Sequence, residues 1–290
     1  MVDIRRILCP VDASLTSHRA LEHAITLAGW YGSRLTALHV NSAPYLPQPP
    51  ILFAEGAHPI LTAEPGGRDD VDPFVDDWLA GARAAGIDCE AVIESSHNPS
   101  GRILHCAETL PADMIVLGTH GRGGFERLML GSVAEKVLRK ARCPVLTVPP
   151  PAVKATKLPF KRLLCPVDFS DPSLAALQFA LSIAKESDAH LTLLHAIEWP
   201  VDDDGFANAA FDNPEYRGQL KGQITERLDA LVSDDERIWC DLTTSVTYGK
   251  AYERIVETAE HDETDLIVMG VHGRNAIELM LFGSTTNQTV

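Results

Sequence analysis

The chain has 290 residues, a length that suits two domains of ordinary size rather than one. With 45% hydrophobic and 22% charged residues it has the composition of a folded globular protein with a core in each half, and no run of about 18 apolar residues is present to span a membrane. A formal net charge of −15 excludes a basic face for nucleic acid or anionic lipid, because both repel an acidic chain at long range.

The first predicted element is an apolar strand at about 4–11, ending in Pro10-Val11-Asp12. From Ser14 to about Tyr31 apolar residues recur at helical spacing (Leu21, Ala24, Ile25, Leu27, Ala28), and 35–40 is a second buried strand. A Pro-rich stretch at 42–67, with Pro44, Pro47, Pro49, Pro50, Pro59 and Pro65, takes no regular element. Then follow a helix from about Asp72 to Ala85, a strand near 88–94, a helix near 100–110 and a strand at 113–117. That strand, Asp113-Met114-Ile115-Val116-Leu117, runs into Gly118-x2-Gly121-x9-Gly131-Ser132, and a helix near 132–141 and a strand at Pro144–Val148 complete the unit. Continuously apolar strands separated by helices predict a parallel sheet covered on both faces, with ligand positions at the strands' carboxyl ends.

The whole pattern then repeats. Arg5-Arg6-Ile7-Leu8-Cys9-Pro10-Val11-Asp12 matches Lys161-Arg162-Leu163-Leu164-Cys165-Pro166-Val167-Asp168, and Leu35–Val40 matches Leu191–Ala196, both 156 positions on. The glycines return with identical internal spacing as Gly270-x2-Gly273-x9-Gly283-Ser284, after Asp265-Leu266-Ile267-Val268-Met269 and 152 positions on. The expected organisation is a domain at 1–149, a stiff Pro-rich linker at 150–160 and a second domain at 161–290. Val290 aligns with Leu138, so the counterpart of Pro144–Val148 is absent from this sequence: either the chain is cut short there or the second half lacks one sheet strand, in which case its bare edge needs covering. Thr285 to Thr289 is a poor helix beside Val133–Arg139.

Glycine serves where backbone takes positive φ or comes within contact distance of a ligand. The hydroxyl residue after the last glycine opens a helix, whose unpaired N–H groups and positive dipole end favour an anion. The alternative is a pair of tight structural turns, and the repeated nine-residue spacing plus hydroxyl favours phosphate. Asp12 and Asp168 read either as ligand contacts or as caps of the helices beginning near Ser14 and Ser170. His39 and His195 read as satisfied histidines of a buried strand, and His120 and His272, between two glycines, either as solvent-facing loop histidines or as residues that approach the ligand.

These motifs resemble the universal stress protein family, and the chain is similar to a tandem member with the family's glycine motif in both halves. The resemblance implies an α/β fold of two tandem doubly wound domains, each a five-stranded parallel sheet with helices on both faces, the last strand absent from the second. It also implies ATP, or ADP or AMP, as ligand. Asp12 and Asp168 would contact the ribose side or a metal, with Pro10, Val11, Pro166 and Val167 also in the nucleotide site. Val40 and Ala196 would hold the adenine. Gly118, His120, Gly121, Arg122, Gly131, Ser132 and Val133, with Gly270, His272, Gly273, Arg274, Gly283, Ser284 and Thr285, would hold the phosphates. Asp12 would reach a nucleotide-bound Mg²⁺, the one metal expected. Ala196 is smaller than Val40, and Thr285-Thr286-Asn287 replaces Val133-Ala134-Glu135, so weaker binding is expected in the second half. Pairing of the two halves or a homodimer, and an unidentified protein partner, belong to the same expectation.

No catalytic apparatus is visible: Gly249-Lys250 lacks the rest of a Walker motif, and His105-Cys106 are adjacent rather than on one helix face. The leading reading is a nucleotide-dependent sensor in the stress response, against a slow Mg²⁺-dependent ATPase or a scaffold for another nucleotide or none. The N-terminus Met1–Arg6 lacks an apolar signal core, and the six cysteines form no CxxC, so a cytoplasmic protein with reduced thiols is expected.

Overall fold

The computed structural model describes residues 3–41, 73–119, 130–150, 158–198, 213–271 and 284–289. Its backbone contacts divide the chain into two compact units, Asp3–Leu158 and one containing Pro159–Val290. The Pro-rich 42–67 stretch and residues 151–157 of the expected linker lie outside the described residues.

The first unit runs β1 (Arg6–Val11), α1 (Leu15–Tyr31), β2 (Arg34–Asn41), α2 (Pro73–Ala84), β3 (Cys89–Ser95), α3 (Pro99–Thr109), β4 (Met114–Gly118), α4 (Ser132–Lys140) and β5 (Val145–Val148). All pairings are parallel and the sheet order is β3-β2-β1-β4-β5. The central strands are buried on both faces: Ile7, Leu8, Leu35, Leu38 and Ile115 are all fully enclosed. That is why they read as continuous apolar runs rather than as an alternation. Helix α1 starts at Ser14, whose side chain accepts the Ser17 N–H at 3.1 Å, and stops at Gly32, which takes the left-handed conformation (φ 65°) that closes a helix without a Cβ penalty.

The second unit runs β6 (Arg162–Pro166), α5 (Asp171–Ser187), β7 (His190–Ile197), α6 (Pro214–Asp229), α7 (Asp234–Trp239), β8 (Asp241–Tyr248), α8 (Ala251–His261), β9 (Leu266–Ile267) and α9 (Ser284–Thr289). Its sheet has four parallel strands in the order β8-β7-β6-β9, so β9 holds the edge position that β5 covers in the first unit. The predicted strand Asp265–Met269 shrinks to Leu266–Ile267, although the Val268 N–H still reaches the Leu164 carbonyl at 2.9 Å.

The carboxylate that leads β4 and β9 has a structural task in both units. Asp113 Oδ2 accepts the N–H groups of Arg5 and Arg6, each at 2.9 Å, and Asp265 Oδ2 accepts those of Lys161 at 2.8 Å and Arg162 at 2.9 Å. Each carboxylate thus satisfies two backbone donors where the neighbouring strand begins, before the ladder itself can do so. Among the described residues no helix is long and apolar enough to cross a membrane.

Candidate functional site

In a sheet ordered 3-2-1-4-5 the connections leaving β1 and β4 diverge to opposite faces, which opens a crevice at the carboxyl ends of those two strands. The chain places Asp12 just past β1, Gly118 at the end of β4, Val40 near the end of β2 and Gly131-Ser132 at the start of α4, all at that edge. The second unit places Asp168, Gly270, Ala196 and Ser284 in the corresponding positions. His120, Gly121 and Arg122, and likewise His272, Gly273, Arg274 and Gly283, lie outside the described residues.

The turn from β1 to α1 is built the same way twice. Asp12 Oδ1 accepts the Ser14 N–H at 3.1 Å while the Asp12 N–H donates to Ser17 Oγ at 3.2 Å. Asp168 Oδ1 accepts the Ser170 N–H at 3.0 Å and its hydroxyl at 2.5 Å, and the Asp168 N–H donates to Ser173 Oγ at 3.3 Å. The capping reading of the two aspartates is corrected here, since the caps are Ser14 and Ser170. The aspartates instead fold the turn before the helix. These bonds hold the intervening residue left-handed, at φ 59° in Ala13 and φ 63° in Phe169, a conformation that costs an L-residue about 1–2 kcal/mol. Val11 and Val167 are buried in the core, and Pro10 and Pro166 are half-buried.

The glycines divide by task. A Cβ on Gly118 would stand 2.9 Å from Thr16 Cγ2 and 3.0 Å from the Thr16 carbonyl carbon and oxygen; one on Gly270 would stand 2.8 Å from the Pro172 carbonyl carbon. Neither glycine has positive φ. Each lets the first turn of α1 or α5 rest against the strand end, a packing duty that spacing alone did not distinguish from ligand contact.

Gly131 is extended (φ −60°, ψ 141°) and is the N-cap of α4 without a side chain to cap it. Its N–H donates to the Thr119 carbonyl at 2.8 Å and its carbonyl accepts the Glu135 N–H at 2.9 Å. The amides of Ser132, Val133 and Ala134 follow in the first turn, where no intrahelical acceptor exists, at the positive end of the helix dipole. Ser132 is exposed there, whereas Val133 packs its side chain against the core beneath α3 and α4. In the second unit Thr286, at the position of Ala134, is buried and its hydroxyl donates to the carbonyls of Gly270 at 3.2 Å and Val271 at 3.4 Å. Thr285 is half-buried.

Val40 and Ala196 are both half-buried, and Val40 leans on the core under α3. The preceding histidines are satisfied, as the buried strand register implied. His39 is buried with Nδ1 at 2.8 Å from the Val11 carbonyl and Nε2 at 2.9 Å from the Asn41 side chain. His195 Nδ1 lies 2.7 Å from the Val167 carbonyl. Since a carbonyl only accepts, Nδ1 carries the proton in both rings. The sequence did not reveal what flanks them. Phe74 of α2 meets His39 edge-on at 5.2 Å, and the stack continues through Trp78, at 4.8 Å, to His18, at 4.6 Å. In the second unit Phe169 lies 5.0 Å from His195 and carries the Arg227 guanidinium 3.9 Å above its ring. The aromatic letters are visible in the sequence, but α2 follows the Pro-rich stretch, so nothing in local spacing couples it to β2.

Burial pushes the Cys9 thiol up and the Cys165 thiol from its ordinary 9.0 to about 12, so neither is a nucleophile at neutral pH. Among the described residues no three His, Cys, Asp or Glu side chains converge to hold a metal ion.

Comparison with known proteins agrees with the architecture. The pattern of the universal stress protein family matches residues 3–149 and again 159–290. Universal stress protein Rv2005c of Mycobacterium tuberculosis is 28% identical over 284 residues, covering 97% of this chain and 92% of the relative. Universal stress protein MJ0531 of Methanocaldococcus jannaschii is 33% identical over 153 residues, covering 51% of this chain and 83% of the relative. Among solved structures, a universal stress protein of Archaeoglobus fulgidus superposes with a TM-score of 0.60 at 22% identity, covering 98% of this chain and 93% of that one, a likeness of fold. With the doubled family pattern, the doubled parallel sheet and relatives along its whole length, this chain belongs to the universal stress protein family as a tandem member.

Proposed function

We propose that this protein binds an adenine nucleotide, ATP in the first instance, at the carboxyl edge of each sheet, and acts as a nucleotide-dependent regulator in the stress response. The observation that carries this reading is the start of α4. Gly131 leaves the helix without a side-chain cap, its own N–H is taken by Thr119, and the following amides stand at the topological switch point beside Asp12. A phosphate chain satisfies those amides and the dipole together. The Ser132 hydroxyl, exposed at the same helix start, is a further donor in this reading. Asp12, with Oδ1 fixed by Ser14, fits as the single protein carboxylate that a phosphate-bound Mg²⁺ accepts.

The two sites are unequal in this reading. The first offers Val40 to the base, while the second offers Ala196 and has a short closing helix whose Thr286 hydroxyl is already committed to loop carbonyls. The test is to denature freshly purified protein and quantify released nucleotide per chain by ion-pair chromatography with mass detection. The expected result is close to one ATP per chain, lost in Gly131→Val and retained in Gly283→Val. An empty protein that shows no thermal shift with Mg²⁺-ATP refutes the proposal, and a predominance of ADP moves it toward a slow ATPase.

A further inference from the structure

At the opposite, amino-terminal edge of the first sheet lies a cavity of about 330 Å³. Its floor is formed by the starts of β1, β2 and β3 through Arg6, Arg34, Thr36 and Glu90, and its wall by the turn from α3 to β4 through Leu110 and Pro111. Arg6 and Arg34 are direct register partners on parallel strands, so two cationic residues begin about 4.8 Å apart along the sheet. Like charges so placed repel unless a counter-charge intervenes.

Among the described residues that line the cavity Glu90 is the one carboxylate, and it is already used. Glu90 Oε2 accepts Arg34 Nη2 at 2.9 Å, and Oε1 accepts the Thr36 hydroxyl at 3.1 Å. Arg6 has the neutral Leu110 carbonyl, at a long 3.4 Å. Asp113 spends Oδ2 on the backbone N–H groups of Arg5 and Arg6.

The second repeat shows the same position closed. There Arg162 pairs with Glu263 at 3.0 Å and with Asp265 at 3.9 Å, and its register partner His190 meets Asp241 at 2.9 Å. Glu263 aligns with Pro111, so the first repeat has a proline where the second places the carboxylate that neutralises its arginine. In a chain of net charge −15, with acidic side chains in excess, the Arg6 guanidinium is thus paired with no carboxylate among the described ion pairs.

We propose that this cavity is a binding site for a small organic oxyanion, a carboxylate or a phosphate monoester, with Arg6 and Arg34 as its cationic ligands. A guanidinium presents parallel N–H donors that match either group in bidentate fashion. The volume leaves room for a body of several carbon atoms, which rests on the apolar wall of Leu110 and Pro111. The site lies at the other end of the strands from the nucleotide crevice, so it stands or falls independently of the nucleotide reading.

The experiment is isothermal titration of the full chain with citrate and, separately, with glycerol 3-phosphate, each with and without Mg²⁺-ATP. The expected result is saturable binding of one anion per chain in both conditions. Arg6→Gln weakens it by roughly tenfold or more, the worth of one charge-assisted hydrogen bond, while Arg162→Gln leaves it unchanged. Pro111→Glu, which introduces the carboxylate of the second repeat, abolishes it. Preference for citrate or for the ester identifies which oxyanion the site takes. Absence of saturable binding, equal weakening by Arg6→Gln and Arg162→Gln, or loss of the anion on adding Mg²⁺-ATP overturns the proposal.

Discussion

Replacing Gly118 by alanine separates packing from ligand binding in the glycine motif. The added methyl would stand 2.9 Å from Thr16 Cγ2 and 3.0 Å from two backbone atoms of Thr16. A rotamer change of Thr16 relieves the first contact and leaves the other two, so α1 must move off the end of β4. Overpacking of this kind costs about 1–3 kcal/mol. For a unit of this size about 2 kcal/mol lowers the melting temperature of the first unit by roughly 4–8 °C. The assay is thermal and urea unfolding followed by circular dichroism, on nucleotide-free protein and with Mg²⁺-ATP. Because the clash lies within the protein, the destabilisation must be present without nucleotide. Gly131→Val is the contrasting variant, since φ −60° and ψ 141° suit any residue and the change should cost about 1 kcal/mol or less while blocking nucleotide. A Gly118→Ala protein as stable as the parent when nucleotide-free refutes the packing argument, and destabilisation only with ligand present would return Gly118 to the phosphate cradle.

Three further outcomes follow from the same contacts. Removing the doubly bonded carboxylate in Asp113→Ala should destabilise the first unit by about 1–3 kcal/mol, whereas Asp113→Asn, which retains an acceptor oxygen, should lose less; equal losses in urea unfolding would contradict the strand-start role. Ser14→Ala should cost about 1 kcal/mol through loss of the α1 cap, measured the same way, and no loss would transfer the cap to Asp12. The buried thiols link stability to alkaline pH. A folded pKa raised above the unfolded one contributes stability that is complete below pH 9 and is lost as pH rises toward the folded value, about 12 for Cys165. Unfolding free energy should therefore fall by about 1.4 kcal/mol per pH unit for each such thiol above pH 9, and Cys165→Ala should flatten that slope.

How much was legible follows from how each signal is encoded. Strands buried on both faces must be continuously apolar, so β1, β2, β4 and the repeats β6 and β7 are readable in place, whereas the strand expected at Asp265–Met269 narrows to Leu266–Ile267. Candidate positions at the carboxyl edge follow from strand order, because turns after strands collect there. The division of labour within the motif was not legible. Gly118 and Gly131 are the same letter in one pattern, yet the first is required by Thr16, about 100 positions away in sequence, whereas the second takes extended dihedrals open to any residue.

The sequence by itself determined the parallel α/β class and the duplication, because hydrophobic periodicity and glycine spacing are local properties of the chain. Only the tertiary structure decided that Ser14 rather than Asp12 caps α1, that Phe74 stands beside His39 with Trp78 next in the stack, and that among the described residues no carboxylate pairs with Arg6 as Glu263 pairs with Arg162. Each of these depends on which side chain wins a hydrogen bond, a ring contact or a counter-charge from a residue distant in sequence or from a competing neighbour, and that choice exists only once the strands and helices are assembled.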